Sequence, residues 1–406
     1  MIKTCIFPAL CFLLSTLCIA GIPDNDKLVK KAEKIQHSVF TIDSHTDTPL
    51  RLMTGDFDIS LKHDTGSQPG KVDFPRMKEG GLDAIFFGVF ISQGKRNPEA
   101  FLHAKNEAFE IIDTIDAVLK RNKSVASLAL DPDQGYRLKK EGKIAVFMGM
   151  ENGYPLGLDL SLAEAYFKRG IRYITLCHTK NNDICDSSND TLAFGGLSAF
   201  GIKLVKEMNR LGMMIDVSHM SDKAFYDVMH YSDLPVIASH SCSRAICDNP
   251  RNLNDQMLMA LAANGGVVQM CILSAYVKAD PNPAKDSARA ELRKKYHDYE
   301  GLSKDEMKQA RKDWRSLDEK FPAHLATVSD VVDHIDHMVK VAGIDHVGIG
   351  TDFDGGGGVS GCKDVSEMKN ITLELVRRKY SVSEIRKIWG GNLMRVMKQN
   401  LDHAQQ

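Results

Sequence analysis

The sequence predicts an α/β protein folded as a (β/α)8 TIM-type barrel. Short apolar runs alternate with stretches of helical periodicity, and there are eight such runs. Nearly every run is followed at once by a histidine or a carboxylate. Strand–helix alternation favours a parallel sheet, and eight strands are enough to close one into a barrel. An open, doubly wound sheet gives the same alternation and stands as the alternative.

In order, the runs are Val39–Asp43, Ala84–Ile91, Ile144–Met150, Tyr173–Cys177, Met213–Val217, Val236–Ser239, Val267–Ile272 and Val347–Gly350. Most are rich in Val, Ile and aromatic residues, as strands buried on both faces are. Helical periodicity marks Leu162–Arg169, Leu197–Leu211 and Asp222–His230, and Ser161 with Glu164 reads as a capping box for the first of these. A strongly charged insertion, 278–320, separates the last two runs, and Ser303 with Glu306 predicts a helix through about Lys320. Its charges fit a solvated helix face, with a lid or dimer contact as the sharper alternative. Val328–Val341 is helical with His334 and His337 on one face, but neighbouring Asp333 and Asp336 mark an ordinary polar surface. Ser381 and Glu384 form another capping box, before a helix expected to break at Gly390-Gly391.

Residues 1–20 stand apart: Lys3, then an apolar run from Ile6 to Ala20, then polar chain from Asp24. That run is short for a membrane span and ends on a small residue, the pattern of a cleaved signal peptide. The expectation is a single catalytic barrel domain, 21–406, exported to a periplasm or secreted, with no membrane span in the mature chain. Of its six cysteines, Cys177 with Cys185, or Cys242 with Cys247, lie near enough in sequence to pair in an oxidising compartment. No CxxC motif is present, which argues against a cysteine zinc site. Fifty-two basic and 53 acidic residues nearly cancel. No global field therefore attracts nucleic acid or an anionic membrane, and a small-molecule partner is favoured.

The chemical signal is positional. His45 and Asp47 follow the first run, Glu151 ends the third and His178 the fourth. His219 and His240 end the fifth and sixth, and Asp352 and Asp354 follow the eighth. In a parallel barrel all of these open onto one face, where barrel enzymes place their chemistry. So many imidazoles and carboxylates buried together call for compensating cations, and this ligand set suits zinc. His45 and Asp47 can reach one ion, His219 and His240 another, while the two oxygens of Glu151 suit a bridge. Asp354 reads as a turn residue. Gly355 to Gly358 have no Lys-Ser/Thr after them, so they read as a flexible loop rather than a phosphate cradle.

His45-Thr46-Asp47, Gly149-Met150-Glu151, Leu176-Cys177-His178, Asp216-Val217-Ser218-His219, Ser239-His240-Ser241, Arg251-Asn252 and Gly348 through Gly355 lie in the order and spacing of a known family. Together they resemble the membrane (renal) dipeptidase family, from about residue 40 to Asn392–Val396. The resemblance implies two Zn2+ per subunit: His45 and Asp47 on one, His219 and His240 on the other, Glu151 between them. It implies a bridging hydroxide as nucleophile, Asp352 as general base and then acid, and His178 stabilising the tetrahedral intermediate. Arg251 would bind the terminal carboxylate of a dipeptide substrate, with a D-residue tolerated there, and the subunits would form a homodimer. Met270–Tyr276 keeps only Tyr276 of the family's Asn- and aromatic-rich pocket stretch, so the side-chain preference stays open. No hydrophobic tail precedes Gln406, so the lipid anchor of animal relatives is not expected. Two other functions remain. One is a related amidohydrolase acting on N-acyl amino acids, lactones or phosphotriesters, for which Arg251 would have no purpose on an uncharged ester. The other is a metal-retaining binding protein, which predicts loss of Asp352 or a ligand.

Overall fold

Apolar side chains on both faces of short segments leave those segments no solvated side, so they pair into a sheet covered all round by helices. The computed structural model describes residues 25–64, 70–297, 302–322 and 324–404. The expected signal segment lies outside them. All the strands pair in parallel: β1 (Ile42–Thr46), β2 (Ala84–Phe90), β3 (Ala126–Leu128), β4 (Ile144–Glu151), β5 (Ile171–Thr175), β6 (Met214–Asp216), β7 (Ile237–Ser241), β8 (Val267–Met270) and β9 (Val347–Ile349). Their order is β1-β2-β4-β5-β6-β7-β8-β9, the sequence of a (β/α)8 barrel. The sequence pattern missed β3, three residues that pair with Ile144–Val146 below the point where β5 takes over the same edge.

The seam closes just past β9. The Asp352 N–H donates to His45 O (3.0 Å) and the Asp47 N–H to Phe353 O (2.8 Å). The Asp43 carboxylate accepts from the Thr351 N–H (2.8 Å) and hydroxyl (2.5 Å), joining the first strand to the last. Burial pushes that carboxyl up to about 6, and the Thr351 hydrogen bonds oppose the rise.

Alternate strand residues separate into two cores, as the two-residue period of a strand requires. Ala84, Phe86, Ala145, Phe147, Tyr173 and Met214 point into the barrel, where Leu393, Met394 and Met397 of the helix Asn392–Ala404 plug one end. Ile85, Phe87, Val146 and Met148 face the surrounding helices. Phe86 stacks on Phe147 (ring centroids 5.0 Å apart) and meets Tyr173 (5.2 Å), so an aromatic column supports the mouth from within.

Several local expectations need correction. Ser161 forms no capping box, because its N–H and hydroxyl both donate to Asp159, making it a donor where a cap must accept. Gly390-Gly391 does not break the C-terminal helix. It lies in a π-helical turn, Lys387–Gly391, where a Cβ on Gly390 would stand 2.8 Å from Phe40 O, so the helix presses its backbone against the start of β1. The six cysteines of the barrel are free and buried, and Cys242 Sγ faces Cys271 O (3.1 Å) while Cys247 turns toward Ala275 O. Within 278–320 stand two helices, Pro283–Lys295 and Lys304–Lys320, the second opened by a formed Ser303–Glu306 capping box. Among the described residues no helix is long and apolar enough to cross a membrane.

Candidate active site

Past the ends of β4, β6 and β9 the chain turns sharply, and two of the predicted site residues, His219 and Asp352, lie in those turns. Asn152 (φ 70°), His219 (68°), Asp352 (59°) and Asp354 (67°) all sit in the left-handed region without being glycine. Such conformations cost about 1–3 kcal/mol each and persist only where the surroundings impose them. Here they bring the His219 side chain to Glu151 and the Asp352 side chain to His45 and Asp47.

The convergence centres on Glu151, the last residue of β4. Its Oε2 faces His45 Nε2 at 3.4 Å. Its Oε1 faces His219 Nε2 at 3.1 Å, His240 Nε2 at 3.5 Å and His178 Nε2 at 3.7 Å. One carboxylate thus turns its two oxygens to two different sets of imidazoles. His45 Nε2 also lies 3.7 Å from Asp47 Oδ1, and His219 and His240 bring their Nε2 atoms within 2.9 Å of each other. Three overlapping ligand groups result: His45–Glu151–His240, Glu151–His178–His219 and His45–Asp47–Asp352.

Supporting groups that sequence reasoning missed fix the rings. His45 Nδ1 meets the Tyr173 hydroxyl (2.8 Å), which donates onward to Ser44 O (3.1 Å). His240 Nδ1 meets Ser239 Oγ (2.8 Å), which donates to Asp216 Oδ2 (2.6 Å). In both chains the hydroxyl's proton is spent elsewhere, so each imidazole donates from Nδ1 and turns its Nε2 toward the mouth. Gly149 carries no Cβ because one would overlap the Tyr173 ring. Gly355 likewise leaves room for Asp47 Oδ2 and Asp352 Oδ1, both of which a methyl would strike. The turn after Asp352 is pinned rather than flexible: Gly357 N–H donates to Asp352 O (2.7 Å) and Gly358 N–H to Ile272 O (2.9 Å).

The electrostatics favour a cation. Burial, then Glu151, pushes the Asp47 carboxyl well above its ordinary range; burial, then Asp47, does the same to Asp352. Burial opposes ionisation of Glu151 too, yet His45 and His178 hold it well below the usual value. His219 and His240 are driven well down by burial, with Arg251 and His45 the next largest causes respectively, and so stay neutral. Ionised Glu151 with neutral His219 and His240 gives protonation states that metal ligands need. At His45 burial is outweighed by Tyr173 and Glu151, which raise the imidazole well above its ordinary value until a cation takes the proton's place. His45 Nε2 and Asp47 Oδ1 are buried without a hydrogen-bond partner, and an ion between them would satisfy both. The donor set of nitrogen and carboxylate oxygen suits zinc.

The other predicted residues are distributed around this centre. His178 is the most accessible of the site imidazoles, its side chain 24% exposed, beside Phe90 and His219. Arg251 is no surface arginine: it is 2% exposed, donating from Nη1 to Ser241 Oγ (2.9 Å) and from Nη2 to His240 O (2.8 Å). Its guanidinium lies over the Tyr276 ring, 5.7 Å from the centroid. Asp354 is a turn residue, accepting from the Lys71 N–H and the Thr48 hydroxyl. His334 and His337 belong to none of the ligand groups. The first links the Ser243 N–H to Val277 O and the second pairs with Asp255.

A family model described as membrane dipeptidase, peptidase family M19, matches residues 29–406. The chain is 31% identical over 341 residues to the dipeptidase tcpJ of Claviceps purpurea, spanning 82% of this chain and 70% of that one. It is 32% identical to the probable dipeptidase PvdM of Pseudomonas aeruginosa, whose crystal structure superposes with a TM-score of 0.81 over 93% of this chain and 99% of that one. A metallopeptidase of Rhodobacter sphaeroides, crystallised with a phosphinate mimic of L-Ala-D-Ala, shares the fold at TM-score 0.72 and 21% identity, covering 89% and 99% of the two chains.

Proposed function

The chain belongs to the membrane dipeptidase family, peptidase family M19, and from that premise we propose that it hydrolyses dipeptides with two zinc ions in the barrel mouth. The observation that carries the reading is the divided carboxylate of Glu151, one oxygen toward His45 and the other toward His219 and His240. His45 and Asp47 would hold one ion, His219 and His240 the second, and Glu151 both. Bound there, the ions supply Lewis acidity toward the scissile carbonyl and lower the pKa of a water into the neutral range.

Asp352 accepts the proton of the attacking water and returns it to the leaving amine. Burial and the adjacent Asp47 raise its carboxyl, which suits a group that must take a proton and give it back. His178 donates to the oxyanion that develops as the carbonyl becomes tetrahedral. Arg251 holds the terminal carboxylate, since Ser241 and His240 occupy only two of its five N–H donors. Tyr276, beneath the guanidinium, forms the wall beside it. C-terminal D-residues belong to the proposal through the family resemblance, as does export after cleavage near Ala20 through the sequence of residues 1–20.

The test is hydrolysis of a dipeptide panel by purified enzyme, metal-stripped and then restored, including C-terminal D-residues and blocked termini. Cleavage that requires zinc, a free C-terminal carboxylate and intact Asp352 is the expected result. Two firmly bound metals with every dipeptide left intact would discard this substrate class in favour of acylated amino acids, lactones or phosphotriesters.

A further inference from the structure

Beside the mouth lies a cavity of about 540 Å³ with no part in the chemistry described so far. One side is the loop after Asp352, through Gly356 and Gly358; the other is the charged Pro283–Lys295 helix. The partition from the catalytic centre is thin. A Cβ on Gly356 would stand 2.9 Å from Leu273 Cδ1 and 3.8 Å from Asp352 Oδ2, so one glycine and one leucine separate Asp352 from the cavity. The Leu273–Gly358 bridge holds that wall in place.

The lining is cationic. Lys71, Lys278, Lys285, Arg289 and Lys363 outnumber two carboxylates, Asp280 and Asp286, although Lys278 pairs with Asp330 (3.0 Å) and the Lys285 ammonium donates to Phe321 O (2.9 Å). Asp280 is already engaged, accepting from the His324 N–H (2.9 Å) and lying 3.2 Å from its ring nitrogen. Lys71 is half-buried, its ammonium donating to Gly357 O on the loop that carries Asp352. Like charges gathered around a concave, partly desolvated space focus their field on whatever enters it. Such a space suits an anion.

Resting on the dipeptidase reading above, the geometry says which anion. Arg251 holds the terminal carboxylate and Asp352 serves the leaving nitrogen, so both backbone ends of the C-terminal residue lie on this side of the mouth. Leu273, Ser274 and Ala275 line the cavity immediately before Tyr276, whose ring underlies Arg251. We infer that the cavity is the subsite for the side chain of the C-terminal residue and that it takes an acidic one, as in a dipeptide ending in glutamate. That side chain enters over Gly356, where the partition carries no side chain of its own, once Leu273 turns aside. The charged insertion then has a purpose at the site: it supplies the outer half of a specificity pocket.

The experiment compares Ala-Glu with its uncharged isostere Ala-Gln on the zinc-loaded enzyme. The expected result is a kcat/KM about tenfold or more higher for Ala-Glu at low salt, shrinking as salt rises. The pair Arg289→Gln and Lys363→Gln should bring that ratio toward one through KM, while Arg289→Lys with Lys363→Arg should retain it. Calorimetric binding of both peptides to zinc-loaded Asp352→Asn separates this inference from the reading beneath it. If no dipeptide is cleaved yet Ala-Glu binds more tightly and loses that advantage in the Gln pair, the subsite stands and the dipeptidase reading falls. Equal binding and equal turnover of the two peptides, or a preference that survives the Gln pair, overturns the inference.

Discussion

Tyr173→Phe tests the support of the proposed metal ligands without touching one of them. The hydroxyl lies 2.8 Å from His45 Nδ1 and donates to Ser44 O, and both groups are fully buried. Its removal leaves the Nδ1–H of His45 without an acceptor, which costs about 1–3 kcal/mol. The phenyl ring keeps its place against Phe86 at 5.2 Å, so little apolar packing is lost. Loss of a hydrogen-bond partner behind a ligating histidine commonly lowers metal affinity by about 10–100-fold. That range corresponds to about 1.4–2.8 kcal/mol and agrees with the desolvation figure. Zinc affinity measured by chelator competition should fall within it, and activity lost at limiting zinc should return at saturating zinc. Gly149→Ala approaches the same contact from the other side. Its methyl would overlap the Tyr173 ring, so it should weaken zinc binding and also destabilise the fold by about 1–3 kcal/mol. Zinc affinity within twofold of wild type for Tyr173→Phe would refute the argument that this hydroxyl orients His45.

Four further outcomes are expected. Asp352→Asn should lower kcat by about 10²–10⁴-fold while calorimetry still finds zinc bound, and a kcat near wild type would remove Asp352 from proton transfer. Ser239→Ala breaks the Asp216–Ser239–His240 chain and should weaken zinc by about tenfold or more, again read by chelator competition. Gly355→Ala would drive a methyl against Asp47 and Asp352, so activity should collapse with only a modest loss of melting temperature, as circular dichroism would report. The fourth concerns pH. Burial holds the His334 pKa below the ordinary value, and its Nδ1 accepts from the Ser243 N–H, so the neutral ring is the stabilising form. That contribution is complete above the unfolded pKa of about 6.5 and is lost as pH falls through the lower folded value. The difference in melting temperature between wild type and His334→Asn should therefore narrow from pH 7.5 to pH 5, and a constant difference would contradict it.

What the sequence determined by itself was the set of strands and the residues at their ends. Eight of the nine strands announced themselves because a segment buried on both faces must be apolar throughout, and a polar residue just after such a run is conspicuous. His45, Glu151, His219, His240 and Asp352 were legible for that reason. β3 was not, since three residues are too few to show a period. The tertiary structure decided everything that depends on distance between strands. Tyr173 reads locally as one more apolar strand residue; only its inward direction on β5 and the missing side chain of Gly149 bring its hydroxyl beneath His45. Asp216 reads as a strand-end acid, yet it spans to β7 and serves Ser239. Arg251 follows a proline in a loop and looks exposed, but the fold buries it against His240. Local patterning reports what each segment must hide from water. Which side chains then meet is set by barrel closure, which joins groups as far apart in the chain as Asp43 and Thr351.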